Sequence, residues 1–273
     1  MMTKVISADG TPIAYQRFGG NGLPLILITA ALCDRTAATA LAEQLAPELP
    51  AIAYDRRGRG DSGGIGNWSV QREIEDLAAL IEAAGGSAAV YGHSSGAALA
   101  LHAAAAGLPI TKLVLHEPPF TPAQDGEDQR ERQAAEERAG REQAETIRAL
   151  LAQDRKAEAI AAFLTPTGMP QHMVEQMSHD PAAQAVAHTL PHDPFDVVSA
   201  SSRGGATPAE QAATVTIPAL LLCGGDSFAW MVETGAQLAT AMPDGRHHVM
   251  PGQPHVAAPQ VLAPLLTGFL LTT

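Results

Sequence analysis

The feature that most restricts this chain is a rhythm in which short apolar runs alternate with longer stretches rich in alanine and leucine. Residues 23–30 (LPLILITA), 51–54 (AIAY), 88–91 (AAVY), 112–116 (KLVLH) and 217–225 (IPALLLCGG) are apolar almost throughout. Such runs suit strands buried on both faces, as in a parallel sheet. Helix-like stretches at 35–45, 70–84, 95–106, 229–241 and 257–271 follow or separate them, and RHHVM at 246–250 reads as a last strand. A parallel sheet has to cover both faces with its crossover helices, so the rhythm predicts a doubly wound α/β fold. Ahead of it, residues 4–18 read as two strands around Asp9-Gly10, a dipeptide suited to a hairpin turn.

The rhythm breaks after EPPF. Residues 121–214 hold a charged helical run at 124–156 and then segments bearing proline, methionine and histidine, such as PTGMPQHMVEQM and HTLPHDPF, with no buried strand. The expected organisation is a core formed by 1–120 and 215–273, interrupted by a helical insertion at 121–214. Mixed charges in the 124–158 run fit pairing along a solvated helix face. No internal repeat is visible.

Charge excludes some partners. With 17 basic against 29 acidic side chains the chain carries a net charge of −12, which repels phosphate backbones and anionic lipid surfaces. The two cysteines, Cys33 and Cys223, lie in apolar surroundings and are expected to be reduced and buried rather than bridged. The N-terminal stretch has no apolar signal-peptide core, and no run reaches the roughly 18 apolar residues that span a bilayer, so a cytoplasmic protein is expected.

Gly92-His93-Ser94-Ser95-Gly96 lies between a strand-like and a helix-like run. It matches G-x-S-x-G, in which a serine occupies a sharp strand-to-helix turn and the glycines relieve crowding. A serine hydroxyl needs a base, and the base needs an orienting group. His255, in the Gly- and Pro-rich loop between 246–250 and the final helix, is the expected base for Ser94. The helix starting at Ser95 would aim free backbone N–H groups at developing negative charge, which makes the Ser95 amide one oxyanion donor. His247 and His248, inside the strand itself, read as structural or surface residues.

At this point the chain resembles the α/β-hydrolase superfamily, specifically its small members with a helical cap. The likeness runs along nearly all of it: the hairpin, LPLILITA, YDRRGRGDSG, YGHSSGAALAL, LVLHEPPF, LLLCGGDS and GQPH. The resemblance implies a mostly parallel, eight-stranded sheet, with Ser94 as nucleophile, His255 as base, and the amides of Ala31 and Ser95 as the oxyanion hole. It also implies cleavage of an ester, thioester, amide or lactone through an acyl-enzyme. A small-molecule acyl substrate is implied, with no cofactor or metal; oligomeric state stays open. Thr29-Ala30 stands where relatives commonly place His-Gly, which leaves the shape of the Ala31 loop in question.

The acid has two candidates. Relatives often carry G-x-x-D after the seventh strand, but counting from Gly224 puts Ser227 at that site and Asp226 one position early. Glu117, directly after 112–116, is the other, and some relatives draw their acid from that place. Glu117 is placed ahead of Asp226, and both stay open. Phe120, Trp230 and Met231, with Phe163, Met169 and Met173, are candidates for an acyl pocket beneath the cap.

Two motifs point elsewhere. Gly58 to Gly63 matches the dinucleotide fingerprint G-x-G-x-x-G, but it leads into Gly-Ile-Gly-Asn-Trp rather than opening a helix. Arg56, Arg57 and Asp61 beside it are expected to hold backbone and helix ends. His188 and His192 have the i,i+4 spacing of a zinc pair, but Pro191 interrupts the helix. A third reading keeps the fold and drops the acyl chemistry: a non-hydrolytic binding or biosynthetic protein.

Overall fold

The apolar runs become strands because flanking helices cover both of their faces. In the computed structural model, which describes residues 2–64, 66, 68–123, 129–200 and 206–272, β3 (Leu25–Ile28), β4 (Ala51–Tyr54) and β7 (Ala219–Gly224) are buried at every position. With β1 (Met2–Ile6), β2 (Pro12–Phe18), β5 (Ala88–His93), β6 (Ile110–His116) and β8 (Gly245–Met250) they form one eight-stranded sheet in the order β1-β2-β4-β3-β5-β6-β7-β8. The β1/β2 and β2/β4 pairs are antiparallel and all others parallel, so the N-terminal hairpin is the antiparallel edge. Its turn places Gly10 at φ 86, as the Asp9-Gly10 dipeptide predicts.

Two apolar layers follow from this sheet. One face packs on α2 (Val70–Ala83) and α3 (Ser95–Ala105) through residues such as Leu77, Leu99 and Leu101. The other packs on α1 (Thr39–Leu45) and the C-terminal helix Pro259–Leu271 through Leu41, Leu45, Leu262 and Leu266. The helix expected at 35–45 begins as a short 3-10 turn, Arg35–Ala38, capped by the Asp34 carboxylate. A turn with three residues per repeat fits there because Asp34 and its own Thr36 amide compete with α-helical pairing.

Between β6 and β7, among the described residues, the chain is helical: α4 (Gln129–Ala152), α5 (Lys156–Leu164), α6 (Gln171–Ser178), α7 (Pro181–Val186), α8 (Phe195–Val198) and α9 (Pro208–Ala212). The expected start of the charged helix at 124–128 lies outside the described residues. Much of this segment has its own apolar cluster, in which Ile147, Ile160, Leu164, Val174 and Leu190 meet Leu32 from the loop after β3. That cluster is separate from the two layers on the sheet and roofs the ends of β3, β5 and β6. No helix among the described residues is long and apolar enough to cross a membrane.

Candidate active site

The carboxyl ends of the parallel strands open into a cavity of about 810 Å³ under α4, α5 and α6. Ligand sites of open α/β sheets lie at this edge, where crossover helices leave a crevice. Ser94 follows β5 directly at φ 54 and ψ −121, angles that L side chains rarely adopt. The elbow is possible because of its glycines. A Cβ on Gly96 would lie 2.5 Å from the Ile28 carbonyl oxygen, and one on Gly92 would lie 2.7 Å from Ala97 Cα. Strand and helix therefore approach closer than any side chain allows. The Ser94 amide donates to the His116 carbonyl at 2.8 Å, which ties the elbow to the neighbouring strand.

Glu117 follows β6, fully buried and also at positive φ, 49°. Its carboxylate accepts hydrogen bonds from the Gly224 amide at 2.6 Å and the Ser227 hydroxyl at 2.7 Å, and it pairs with His255 Nδ1. Burial pushes the Glu117 carboxyl up, but the bond and charge of His255 and the two other donors outweigh it and hold the group below its usual range. With Nδ1 taken, the other ring nitrogen of His255 is left for chemistry. His255 and Ser94 line the same cavity, and among the described contacts no hydrogen bond joins them directly. Such bonds are often long without substrate. Asp226, by contrast, is exposed and does not line the cavity; its amide donates to the Gln253 carbonyl at 3.0 Å.

Ala31 lines the cavity on the loop after β3, whereas Ser95, fully buried, opens the first turn of α3 directly after Ser94. Neither amide has an acceptor among the described backbone bonds, and the first amides of a helix have none within it. Phe120 and Met231 are buried and Trp230 half-buried, and all three line the cavity with Phe163, Met169 and Met173. The structure corrects one expectation. Cys223 is buried, where burial pushes its thiol up to about 12, but Cys33 is partly exposed and lines the cavity beside Ala31. Cys33 lies on the loop that follows β3, at the cavity wall and outside both apolar layers of the sheet, so neither layer covers its side chain.

Sequence reasoning missed three residues near this site. His93 Nε2 faces the His255 carbonyl at 2.9 Å and so must carry the proton, and its ring lies 4.7 Å from that of His255. Burial and the neighbouring His255 push His93 down to about 3, so it stays neutral. Ser227 was visible only as the residue occupying the usual acid position. Asp193, in HTLPHDPF, is 1% exposed and gave no local signal beyond an acid before a proline. Arg56 and Arg57 bind Glu73 and Asp76 of α2 rather than only backbone. His188 and His192 take separate partners: the Gly58 carbonyl at 2.8 Å and the Trp68 ring at 4.9 Å.

The comparisons agree with this architecture. A model of the alpha/beta hydrolase family matches residues 25–265. The fold is similar to that of an alpha/beta hydrolase from Sphaerobacter thermophilus, with a TM-score of 0.82 and 41% identity, covering 98% of this chain and 100% of that one. Over 120 residues the sequence is 36% identical to N-formylmaleamate deformylase of Pseudomonas putida, a match covering 42% of this chain and 45% of that protein. Over 92 residues it is 34% identical to the lipase LipV of Mycobacterium tuberculosis, covering 33% of this chain and 35% of that one. The chain thus matches less than half the length of each of these two curated relatives.

Proposed function

The chain belongs to the alpha/beta hydrolase family, and from that premise we propose that it is a serine hydrolase acting through an acyl-enzyme on a carboxylic ester or lactone of a small, partly apolar substrate. The observation that carries the reading is the His255–Glu117 pair, set across one cavity from a serine on a strained elbow. In the proposed reaction His255 takes the Ser94 hydroxyl proton as Oγ attacks the acyl carbon. The Ala31 and Ser95 amides hold the oxyanion. Collapse expels the alcohol, which takes the proton back from His255. Water, deprotonated by His255, then attacks the acyl-enzyme, and Ser94 leaves with that proton. Glu117 keeps the imidazole oriented and offsets its charge.

The lining supports the substrate class. Met169, Met173, Phe163, Phe228, Trp230 and Met231 make the walls apolar around a few converging polar groups. The likeness to a deformylase adds an N-acyl amide to the compounds worth assaying. The test is acylation: a fluorophosphonate or p-nitrophenyl acetate should modify Ser94 one to one, and Ser94→Ala should abolish labelling. A folded native protein that takes up no label at pH 8 overturns the reading. A panel of p-nitrophenyl esters of graded chain length, with a lactone beside them, then places the substrate.

A further inference from the structure

The Arg56-Arg57-Gly58-Arg59 segment and the acid of HTLPHDPF have no part in the acyl chemistry above, yet they meet directly behind it. Asp193 comes from the helical segment between β6 and β7 and is buried to 1% exposure. Its Oδ2 accepts from Arg56 Nη1 at 2.9 Å, from Ser95 Oγ at 3.0 Å, and from Arg59 Nη2; its Oδ1 accepts from Arg56 Nη2 at 3.1 Å. Arg59 has a second arm. Its Nη1 donates to the carbonyls of Ala30 at 2.7 Å and Cys33 at 2.8 Å.

Those two carbonyls bracket Ala31 and Leu32. Leu32 sits at φ 60, where a branched side chain is strained, so this short loop holds its shape through outside contacts. One guanidinium fork supplies two of them. The fork is itself fixed because Arg59 and Arg56 lie close together, buried, and share one carboxylate. Burial and the charge of Arg56 both draw Arg59 down, whereas Asp193 holds it charged and stays below its usual range itself. Oriented Arg59 then fixes two carbonyls, and with them the peptide plane that aims the Ala31 amide.

We propose that Asp193 and Arg59 form a relay from the helical cap to the oxyanion loop, with Asp193 a positioning residue through which cap docking sets the direction of the Ala31 amide. The proposal rests on the serine-hydrolase reading and adds that oxyanion geometry depends on a cap carboxylate.

The experiment compares Asp193→Asn and Arg59→Lys with the native protein. The first keeps shape and removes the charge, whereas the second keeps the charge and loses the fork. Active sites are counted by end-point fluorophosphonate labelling, so that kcat refers to folded, competent molecules. The expected result is a fall in kcat per titrated site of about 10- to 100-fold, less than the loss of a whole oxyanion donor, with KM changed by less than about threefold. The inhibition constant of a trifluoromethyl ketone, which forms an oxyanion on Ser94, should rise by the same factor as kcat/KM falls. A purely structural role would instead reduce the fraction of labelled molecules and the Tm and leave kcat per site unchanged. If either soluble variant keeps kcat per site within about twofold of native, or if ketone binding does not follow kcat/KM, the relay is overturned. Should native protein itself fail to label, the serine-hydrolase reading fails and the relay with it; labelled native protein with unchanged variants sinks the relay alone.

Discussion

Ser94 and Glu117 stand at the ends of adjacent strands with φ of 54° and 49°, and neither is glycine. Positive φ costs a non-glycine residue about 1–3 kcal/mol, so the surrounding structure holds both in place. The strain at Glu117 turns its carboxylate sideways, across the end of β7, where it collects the Gly224 amide, the Ser227 hydroxyl and the His255 ring. Glu117→Gln should therefore lower kcat by about 10³- to 10⁴-fold, as loss of an orienting carboxylate does elsewhere. Asp226→Asn should stay within about threefold of native, and the pair of kcat values measured on one ester checks both. Removing one donor by Ser227→Ala should cost a few-fold in kcat/KM and no more, since the Gly224 amide and His255 remain. The strand-to-helix turn at Ser94 was legible in the sequence because its signal is local: two glycines around a serine, between a strand and a helix. Which of Glu117 and Asp226 meets His255 was not, because both occupy plausible strand exits, and only the direction in which each side chain leaves its strand separates them.

At the scale of elements, the contact of α3 with the ends of β3 and β5 is a tight constraint. α3 begins at the nucleophile, and Gly96 packs against the Ile28 and Thr29 carbonyls at the end of β3. Gly96→Ala would drive a Cβ into two backbone oxygens, neither of which can rotate away. It should destabilise the protein by several kcal/mol or prevent folding altogether, read as a lost or lowered urea midpoint. The helices over the cavity make a softer demand. Met169, Met173 and Met177 lie along and just before α6 and line the cavity with unbranched, adaptable side chains. Met177→Trp should raise KM for the longest esters while leaving acetate kcat unchanged, as measured across a chain-length panel. These elements differ in how far the sequence betrays them: buried strands announce themselves by continuous apolar runs, and the helices over the site by charge and periodicity alone. Which helix faces the cavity is settled by packing on Leu32 and its neighbours, and no period in the sequence encodes that.

Across the whole molecule, the pH response follows from histidines kept neutral inside. Burial draws His93, His102 and His116 below the ordinary 6.5, His93 to about 3. The unfolded chain takes up protons below about pH 6.5 while the folded protein does not. Stability from these groups is thus complete above that pH and is lost as pH falls towards the folded-state values. Each contributes a slope of up to about 1.4 kcal/mol per pH unit in that window. Urea unfolding at pH 7, 6, 5 and 4 should show stability dropping at each step; a flat profile would contradict neutral buried imidazoles. Glu117, held below its usual range, adds to the loss in the same direction, but only at the acidic end of the series.

The sequence by itself determined the order of strands and helices, the antiparallel hairpin, the serine elbow and the histidine loop, because each rests on short-range sterics and periodicity that a single stretch of chain carries. Only the tertiary structure decided that Glu117 reaches His255 across 138 positions and that Asp193 lies 98 positions from the Ser95 hydroxyl it accepts from. Those pairings exist because the strand order sets the ends of β6 and β7 side by side and the helical segment between them folds back over the elbow. Charges so distant in the chain meet through the packing of apolar layers that carry no record of them.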